Sequence, residues 1–342
     1  MPELPEVEVV RAGLAPAITG ARVIGCEVLD PRALKRHVPL AGGFTDGRSG
    51  HGVTLSASEG AVRAADFERR VVGLTLAEPR RRGKFMWIPV GASGPGASGS
   101  SASAAGLALL AHLGMSGQML LRDLDAPDDR HVRIRLWIEH PAHGELRLDF
   151  SDQRLFGSLA LDELVPDPFE ASDAAVAAVA DLPAGTPLAA LVPGQAMHIA
   201  PDPLEYVFDD ELFVAQLRAR SRGVKQLILD QSIVSGVGNI YADEALWRAR
   251  LHPETAGSAV SVRKARELLA ALRDVFAKAL AEGGTSFDAQ YVNVNGQAGY
   301  FAHSLNAYGR GGEACPRCGT SIRRVPFGGR SSHFCPRCQR KR

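Results

Sequence analysis

The sequence predicts a multi-domain α+β protein, with an N-terminal β-sandwich, a helical C-terminal part and a small metal-binding β-hairpin at the end. Three observations lead to this prediction. Segments 133–138 and 145–150 alternate apolar and polar residues, whereas segments beyond residue 206 repeat apolar residues every three or four positions. In addition, four cysteines form two CxxC pairs close to the end of the chain.

The N-terminal domain, residues 1–165, is predicted to begin with a short helix that is followed by antiparallel strands. Pro5 suits the first turn of the helix, and Pro16 is expected to lie just beyond its end. The Gly/Ser-rich stretch 91–105 lies between two strand-like segments, so we expect a mobile hairpin loop there. Strand-like segments are predicted at 84–90, 106–113, 133–138 and 145–150, and the last two of them alternate apolar and polar residues.

The pattern changes in the second half of the chain. Residues 166–205 are acidic and rich in proline, and they are predicted to link two domains. Residues 206–305 are predicted to form a helical domain. Its helices are expected at 209–220, 223–229, 240–248 and 262–282.

Charge is distributed unevenly, although the formal net charge is only +1. Residues 155–217 contain eleven Asp and Glu and no Lys or Arg, whereas residues 315–342 contain eight Lys and Arg and no acid. Such polarity is typical of a protein that meets a polyanion, although a basic terminus kept for solubility would also show it. No apolar run approaches the roughly 20 residues of a membrane span, and the N-terminus does not resemble a signal peptide, so we expect a cytoplasmic protein.

Four cysteines predict a zinc site within a finger at 306–342. The pattern is Cys315-x2-Cys318-x16-Cys335-x2-Cys338, and each CxxC pair lets two thiolates converge on one tetrahedral ion. Four thiolates leave no ligand position for water or substrate, so we expect one structural Zn2+. Two disulfides are the alternative, but nothing else in the sequence indicates export.

The N-terminus offers a nucleophile. A small residue after Met1 normally permits removal of the methionine, which would leave the secondary amine of Pro2 followed by Glu3. The reference pKa of an α-amine is about 8, so more of it is unprotonated at neutral pH than of a lysine. Such an amine can attack an aldehyde-level carbon and form an iminium ion. On these residues alone, a proline that only starts a helix is the simpler interpretation.

Motifs along most of the chain resemble those of the formamidopyrimidine-DNA glycosylases. They are MPELPEVE at the N-terminus, GKF at 83–85, HLGMSG at 112–117, VSGVGNIYADEALWRARLHP at 234–253, GYF…YGR at 299–310 and the cysteine module. Many proteins share a four-cysteine module, but this combination, in the family's order, is specific.

The resemblance implies an activity and a partner. A member of this family would be a bifunctional DNA glycosylase and AP lyase that acts on oxidised purines, such as 8-oxoguanine and formamidopyrimidines, in damaged double-stranded DNA. It would excise the base through a Schiff base with the N-terminal proline and then cut the strand by β,δ-elimination. The family also implies a helix-two-turn-helix element with its turn at 234–239, and a monomer associated with the nucleoid.

The resemblance assigns the catalytic roles to four residues. Pro2 would attack C1′ of the damaged nucleotide, and Glu3 would protonate the ring oxygen of the sugar. Lys84 would contact a phosphate beside the lesion and assist β-elimination, and Arg330 of the finger would assist δ-elimination.

Further residues are assigned to DNA binding. Met115, Arg154 and Phe156 match the residues that fill the space left by a flipped base, and side chains of this kind suit insertion between bases. Glu6 and Tyr291 are assigned to the pocket, Arg220 and Lys225 lie where the family has basic residues near the pocket and the DNA backbone, and Asn239 would contact phosphate. His131 is also expected to bind DNA. Leu155 stands where many relatives have an arginine, and residues 42–60 look like an insertion.

Two alternatives remain. A related endonuclease VIII-like enzyme would use the same amine chemistry on oxidised pyrimidines, but LPEV and HLGMSG favour the purine-directed branch. A catalytically silent zinc-containing DNA-binding protein would have no need of both Pro2 and Glu3.

Overall fold

The computed structural model describes residues 2–42, 55–92, 106–170, 191–285 and 301–341. They fall into two compact units. The first contains residue 2 and the described residues between Val7 and His198, and the second contains Glu3–Glu6 and the described residues from Ile199 onwards. Within the described residues, no helix is both long and apolar enough to cross a bilayer.

The first unit is built on an antiparallel sheet. The described residues contribute ten strands, with β3 pairing to β4 beside the path β10-β9-β5-β4-β2-β1-β7-β8-β6. The strands are β1 Arg22–Val28, β2 Leu74–Leu76, β3 Arg80–Arg82, β4 Phe85–Ala92, β5 Leu107–His112, β6 Gly117–Arg122, β7 Val132–His140, β8 Gly144–Asp152, β9 Ser158–Pro166 and β10 Leu191–Pro193. Sheet residues such as Met86 and Ile134 form one apolar core with Leu14 and Phe67 of two helices.

The two helices of this core are α1, Leu4–Ile18, and α2, Ala57–Val71. The expectation that Pro16 lies beyond the end of α1 is wrong, because the helix contains Pro16 and continues to Ile18. Ile18, beyond the proline, is fully buried in the core of this unit, and its burial favours continuation of the helix although proline removes one hydrogen bond. Helix α2 was not predicted, and it starts with a capping box.

The second unit is helical and ends in a hairpin. Its helices are α3 Asp210–Arg218, α4 Val224–Ile228, α5 Asn239–Ala249 and α6 Val262–Ala281, and its strands are β11 Arg323–Phe327 and β12 Arg330–Phe334. The core of this unit includes Phe213, Leu227, Leu268 and Phe276, and Leu4 from the start of α1 belongs to it.

The mixed α+β class, the antiparallel strands of the N-terminal domain and the C-terminal hairpin are confirmed. The four predicted strands correspond to β4, β5, β7 and β8, and the four predicted helices to α3–α6. Strands β4 and β5 pair as a hairpin, while the connecting residues 93–105 lie outside the described residues. Within the expected linker 166–205, strand β10 pairs with β9.

Candidate functional site

The Glu3 carboxylate lies at the N-terminus of α5. Oε1 accepts a hydrogen bond from Ile240 N at 3.1 Å, and Oε2 accepts one from Tyr241 N at 3.3 Å. The helix has Gly238 at its N-cap, which offers no side chain, so Glu3 takes over the capping role from 237 residues away in sequence. Unpaired N–H groups and the helix dipole both favour a negative charge at this position, so the site stabilises an ionised Glu3.

Glycine at 238 is a requirement of this contact. A Cβ at that position would lie 2.1 Å from Glu3 Cδ and 2.3 Å from Glu3 Oε1. The Glu3 side chain is only 2% exposed, so it has little room to move aside. The GVGN motif therefore leaves space for the residue that directly follows Pro2.

A second buried carboxylate, Glu6, ties together the surroundings of Glu3. It accepts hydrogen bonds from Glu3 N and Thr285 N, both at 2.8 Å, and from the hydroxyls of Thr285 and Tyr241. Burial, followed by the nearby charge of Glu6, raises the pKa of Tyr241 well above its usual value, so its hydroxyl remains a donor. Four donors satisfy this carboxylate and fix the backbone at Glu3 and at Thr285.

In the first unit, Lys84 lies in the two-residue turn between β3 and β4. Arg82 and Phe85 pair across the base of this turn, and Gly83 has a φ of +55°, which suits a tight hairpin. Arg82 forms a buried, two-pronged ion pair with Asp167, with N···O distances of 2.9 and 2.5 Å. The turn that carries Lys84 is thus anchored through its base.

The residue proposed as the nucleophile, Pro2, is buried.

The structure brings the loops of Met115 and Arg154 together. The buried Asp152 accepts hydrogen bonds from Ser116 Oγ at 2.5 Å, Arg154 N at 3.2 Å and Gly157 N at 2.7 Å. Met115 is 39% exposed at the tip of its turn. The two loops therefore present their tips from one shared anchor.

Arg154 and Phe156 contact one another on the second of these loops. The guanidinium carbon of Arg154 lies 5.1 Å from the centroid of the Phe156 ring. Between them, Leu155 has a φ of +56°, a conformation that costs a branched residue roughly 1–2 kcal/mol. The buried ammonium group of Lys35 holds this backbone by donating to Leu155 O at 2.9 Å and Phe156 O at 3.0 Å.

The four predicted zinc ligands converge. Their sulfur atoms all lie within 4.8 Å of one another, close to the edge of about 3.8 Å that a tetrahedral site with Zn–S bonds of about 2.3 Å requires. This donor set fits one structural Zn2+, as predicted. Trp247 of α5 donates from Nε1 to Cys315 Sγ at 3.4 Å, and Arg317 stacks on the indole at 4.0 Å. The finger is thereby joined to the helical part of its own unit.

Arg330 is exposed at the tip of the finger hairpin. Phe327 and Arg330 form the last pair of the ladder, and Gly328 and Gly329 between them have φ values of +51° and +75°. Two consecutive positive φ angles are what a two-residue type I′ turn requires. The sequence VPFGGRSS therefore presents an arginine at the point where the hairpin turns.

The structure does not support the DNA contact expected of Lys225. Its side chain is fully buried, and its ammonium group pairs with Asp243 at 2.7 Å. Asn239, expected to contact phosphate, is 8% exposed and donates from Nδ2 to Ser331 O at 2.9 Å. Both side chains hold the hairpin, which sequence position alone did not reveal.

Three further residues were predicted to contact DNA: Arg220, His131 and Tyr291. Arg220 is half-buried after α3 and donates to Gln216 O. His131 is half-buried just before β7, where its ring accepts from Arg130 Nε at 3.1 Å. Tyr291 lies outside the described residues.

Residues that the sequence did not indicate support those that it did. They are Lys35 and Asp152 under the Met115 and Arg154 loops, Tyr241 and Thr285 around Glu6, and Asp243 beneath the hairpin. Two of them could have been found from the sequence, because Tyr241 and Asp243 belong to the NIYADE motif.

Comparison with known proteins defines the class. Residues 1–60 and 51–159 match the family model described as the formamidopyrimidine-DNA glycosylase N-terminal domain. Residues 199–290 match the H2TH domain of the same glycosylases, and residues 312–340 match the zinc finger found in FPG and IleRS. These matches and the site define a DNA repair glycosylase with a helical DNA-binding domain and a zinc finger.

Full-length relatives narrow the class to one family. A formamidopyrimidine-DNA glycosylase of Leifsonia xyli is 52% identical over 99% of this chain and 100% of its own length. Lactococcus lactis Fpg, solved with DNA that contains an oxidised pyrimidine, matches with 28% identity, a TM-score of 0.71, and coverage of 99% of this chain and 100% of that one. MutM, solved with DNA that contains carbocyclic 8-oxo-G, gives the same four values. The chain belongs to the formamidopyrimidine-DNA glycosylase family, whose members have glycosylase and AP lyase activity.

Proposed function

We propose that this chain excises oxidised purines from double-stranded DNA, with the secondary amine of Pro2 as the nucleophile once Met1 has been removed. One observation carries the proposal. The carboxylate of Glu3, the residue next to that amine, is hydrogen-bonded to the N-terminus of α5. An ionised carboxylate one peptide bond from the amine supplies both a proton acceptor and a negative charge.

The proposed chemistry proceeds in balanced steps. The Pro2 nitrogen forms a bond to C1′ as the glycosidic bond breaks, and the base leaves with the bonding electron pair and takes up a proton from solvent. The proton carried by the attacking nitrogen passes to Glu3 and from there to the ring oxygen. Cleavage of the C1′–O4′ bond then gives an iminium ion, which the charge of Glu3 stabilises.

The iminium ion acts as the electron sink for strand cleavage. Loss of a proton from C2′ expels the phosphate on the 3′ side, and a second elimination expels the phosphate on the 5′ side. We assign phosphate contacts in these steps to Lys84 and Arg330. Lys84 is a half-buried residue of the β3–β4 turn, and Arg330 is exposed beside the turn of the finger hairpin. Cations placed beside a departing phosphate stabilise it.

We assign the gap left by the extruded base to Met115, Arg154 and Phe156. The common anchor of their loops on Asp152 supports this role, because side chains inserted between bases must withstand stacking forces. A stacked guanidinium and phenyl ring present flat faces to neighbouring bases. We further propose that the protein acts as a monomer in the nucleoid.

Borohydride trapping tests the proposal. Incubation with a duplex that contains 8-oxoguanine and with sodium borohydride should reduce the iminium ion to a stable covalent adduct. Pro2→Gly, or a variant that retains Met1, should form none. Binding of the duplex without any adduct would leave only a silent DNA-binding protein.

A second substrate class belongs in the same assay. The Lactococcus relative has been solved with DNA that contains an oxidised pyrimidine. Trapping on a panel of purine and pyrimidine lesions should show faster adduct formation with the purines. Adducts with the pyrimidines alone would assign the chain the activity of an endonuclease VIII-like enzyme.

A further inference from the structure

The buried carboxylate of Asp243 is the central acceptor of the contact between α5 and the finger hairpin. Its Oδ1 accepts from Lys225 Nζ at 2.7 Å and from Ser332 Oγ at 3.0 Å. Its Oδ2 accepts from His333 N at 2.8 Å and lies 3.2 Å from His333 Nδ1. Asp243 is 1% exposed, so these contacts are shielded from water.

Ser331, which precedes Ser332 and His333 on β12, is also held by hydrogen bonds. Ser331 O accepts from Asn239 Nδ2 at 2.9 Å and from Lys225 Nζ at 3.3 Å. On the opposite strand, the Phe327 ring lies 4.7 Å from Lys225 Nζ. The hairpin is thus gripped on both strands, immediately below the turn that carries Arg330.

A hairpin of two short strands has little stability of its own in water. Here β11 and β12 contribute five residues each and form a sheet of only two strands. A buried ion pair is also a poor source of stability, because desolvation of the charges offsets their attraction, whereas such pairs can specify one geometry. The network is therefore better suited to fixing the direction of the hairpin than to strengthening the fold.

We propose that Asp243 is a positioning residue for Arg330. It holds Ser332 and His333 directly and Ser331 through Lys225, so that Gly328, Gly329 and Arg330 protrude from a rigid base. Arg330 then meets the phosphate of the second elimination without first having to be ordered. This inference rests on the role proposed above for Arg330 in the β,δ-elimination.

The test measures the ratio of β,δ- to β-elimination product in single turnovers, which does not depend on the fraction of active protein. Asp243→Asn should lower this ratio roughly tenfold or more, as expected when a catalytic group is misplaced by about an ångström. The rate of borohydride trapping should change less than about twofold, because Glu3 contacts other residues of α5. An unchanged ratio would overturn the inference.

Two further variants keep the test interpretable. Asp243→Asn leaves Lys225 buried without its partner, so a protein that fails to fold is replaced by the double variant Lys225→Met/Asp243→Asn, which removes both charges and should show the same lowered ratio. Glu254→Gln breaks the exposed contact of Glu254 with Lys341, which also joins the finger segment to the helical part. This control should retain the wild-type ratio, and a drop equal to that of Asp243→Asn would refute a specific role for Asp243.

A reference variant separates this inference from the proposed function. If Arg330→Gln leaves the product ratio unchanged, the role of Arg330 fails, and positioning for the second elimination fails with it. Hydrogen exchange of the amides of residues 323–334 in zinc-loaded protein then tests the remaining statement, that Asp243 keeps the hairpin rigid. Asp243→Asn should exchange at least about tenfold faster there than wild type, and equal exchange would overturn it.

Discussion

Gly238→Ala tests the most specific geometric requirement of the site. The φ of Gly238 is −121°, so alanine can adopt this backbone without strain. Its methyl group, however, would lie 2.1 Å from Glu3 Cδ. Ordinary contact between two carbon atoms needs about 3.5 Å or more, so the Glu3 carboxylate has to move by more than about 1 Å.

The displacement has a cost in stability and a larger one in rate. The Glu3 carboxylate loses the hydrogen bonds that it accepts from Ile240 N and Tyr241 N. Each buried donor left without a partner costs about 1–3 kcal/mol. With two donors affected, we therefore expect the free energy of unfolding to fall by about 2–6 kcal/mol. A shift of this size in a group that takes part in the chemistry can lower the rate about a hundredfold.

The assay is single-turnover trapping on 8-oxoguanine duplex, with the fraction of folded protein determined by circular dichroism. Gly194→Ala is the matched control, because a Cβ there meets its nearest neighbours at 3.7 and 3.9 Å, which is ordinary contact. It should trap like wild type. If folded Gly238→Ala also traps at the wild-type rate, the position of Glu3 on α5 has no part in the reaction.

Three further perturbations test other parts of the structure. Burial lowers the pKa of His37 to about 4 from 6.5, so its contribution to stability is complete above pH 6.5 and is lost as the pH falls towards 4. We expect a loss of up to about 3 kcal/mol over this window; a His37→Gln variant should lose less in urea unfolding, and an equal loss would contradict the assignment. Asp152→Ala should weaken binding of lesion duplex and reduce stability by about 1–3 kcal/mol for each buried donor left unpaired; wild-type binding and melting would show that the two loops need no anchor. Chelation of zinc should weaken DNA binding while the circular dichroism of the sheet persists, and simultaneous loss of both would rule out a separable finger.

Local patterns explain why much of the architecture could be predicted from the sequence. The zinc site follows from the spacing of four cysteines, and α6 follows from apolar residues at intervals of three and four. Strands β7 and β8 alternate visibly because one of their faces packs in the core. In each case the cause lies within a few residues of its effect.

The features that could not be predicted depend on distant partners. Strands β2 and β3 have three residues each, too few to show a period. Helix α2 begins at Ala57, inside the stretch 42–60 that resembled an insertion. Lys225 was expected near the DNA because the family has a basic residue at this position. Its burial depends on Asp243, 18 residues further along the chain.

The contact between Glu3 and α5 also constrains when the site can form during synthesis. Glu3 and Ile240 are 237 residues apart in sequence, and at roughly 5–20 residues per second a ribosome needs about 12–50 s to cover that distance. Throughout this interval the start of the chain has no helix N-terminus on which to settle. The removal of Met1 that we propose therefore has this interval in which to occur. A nascent chain that stops before α5 would carry the proposed Pro2 amine without the Glu3 carboxylate in place.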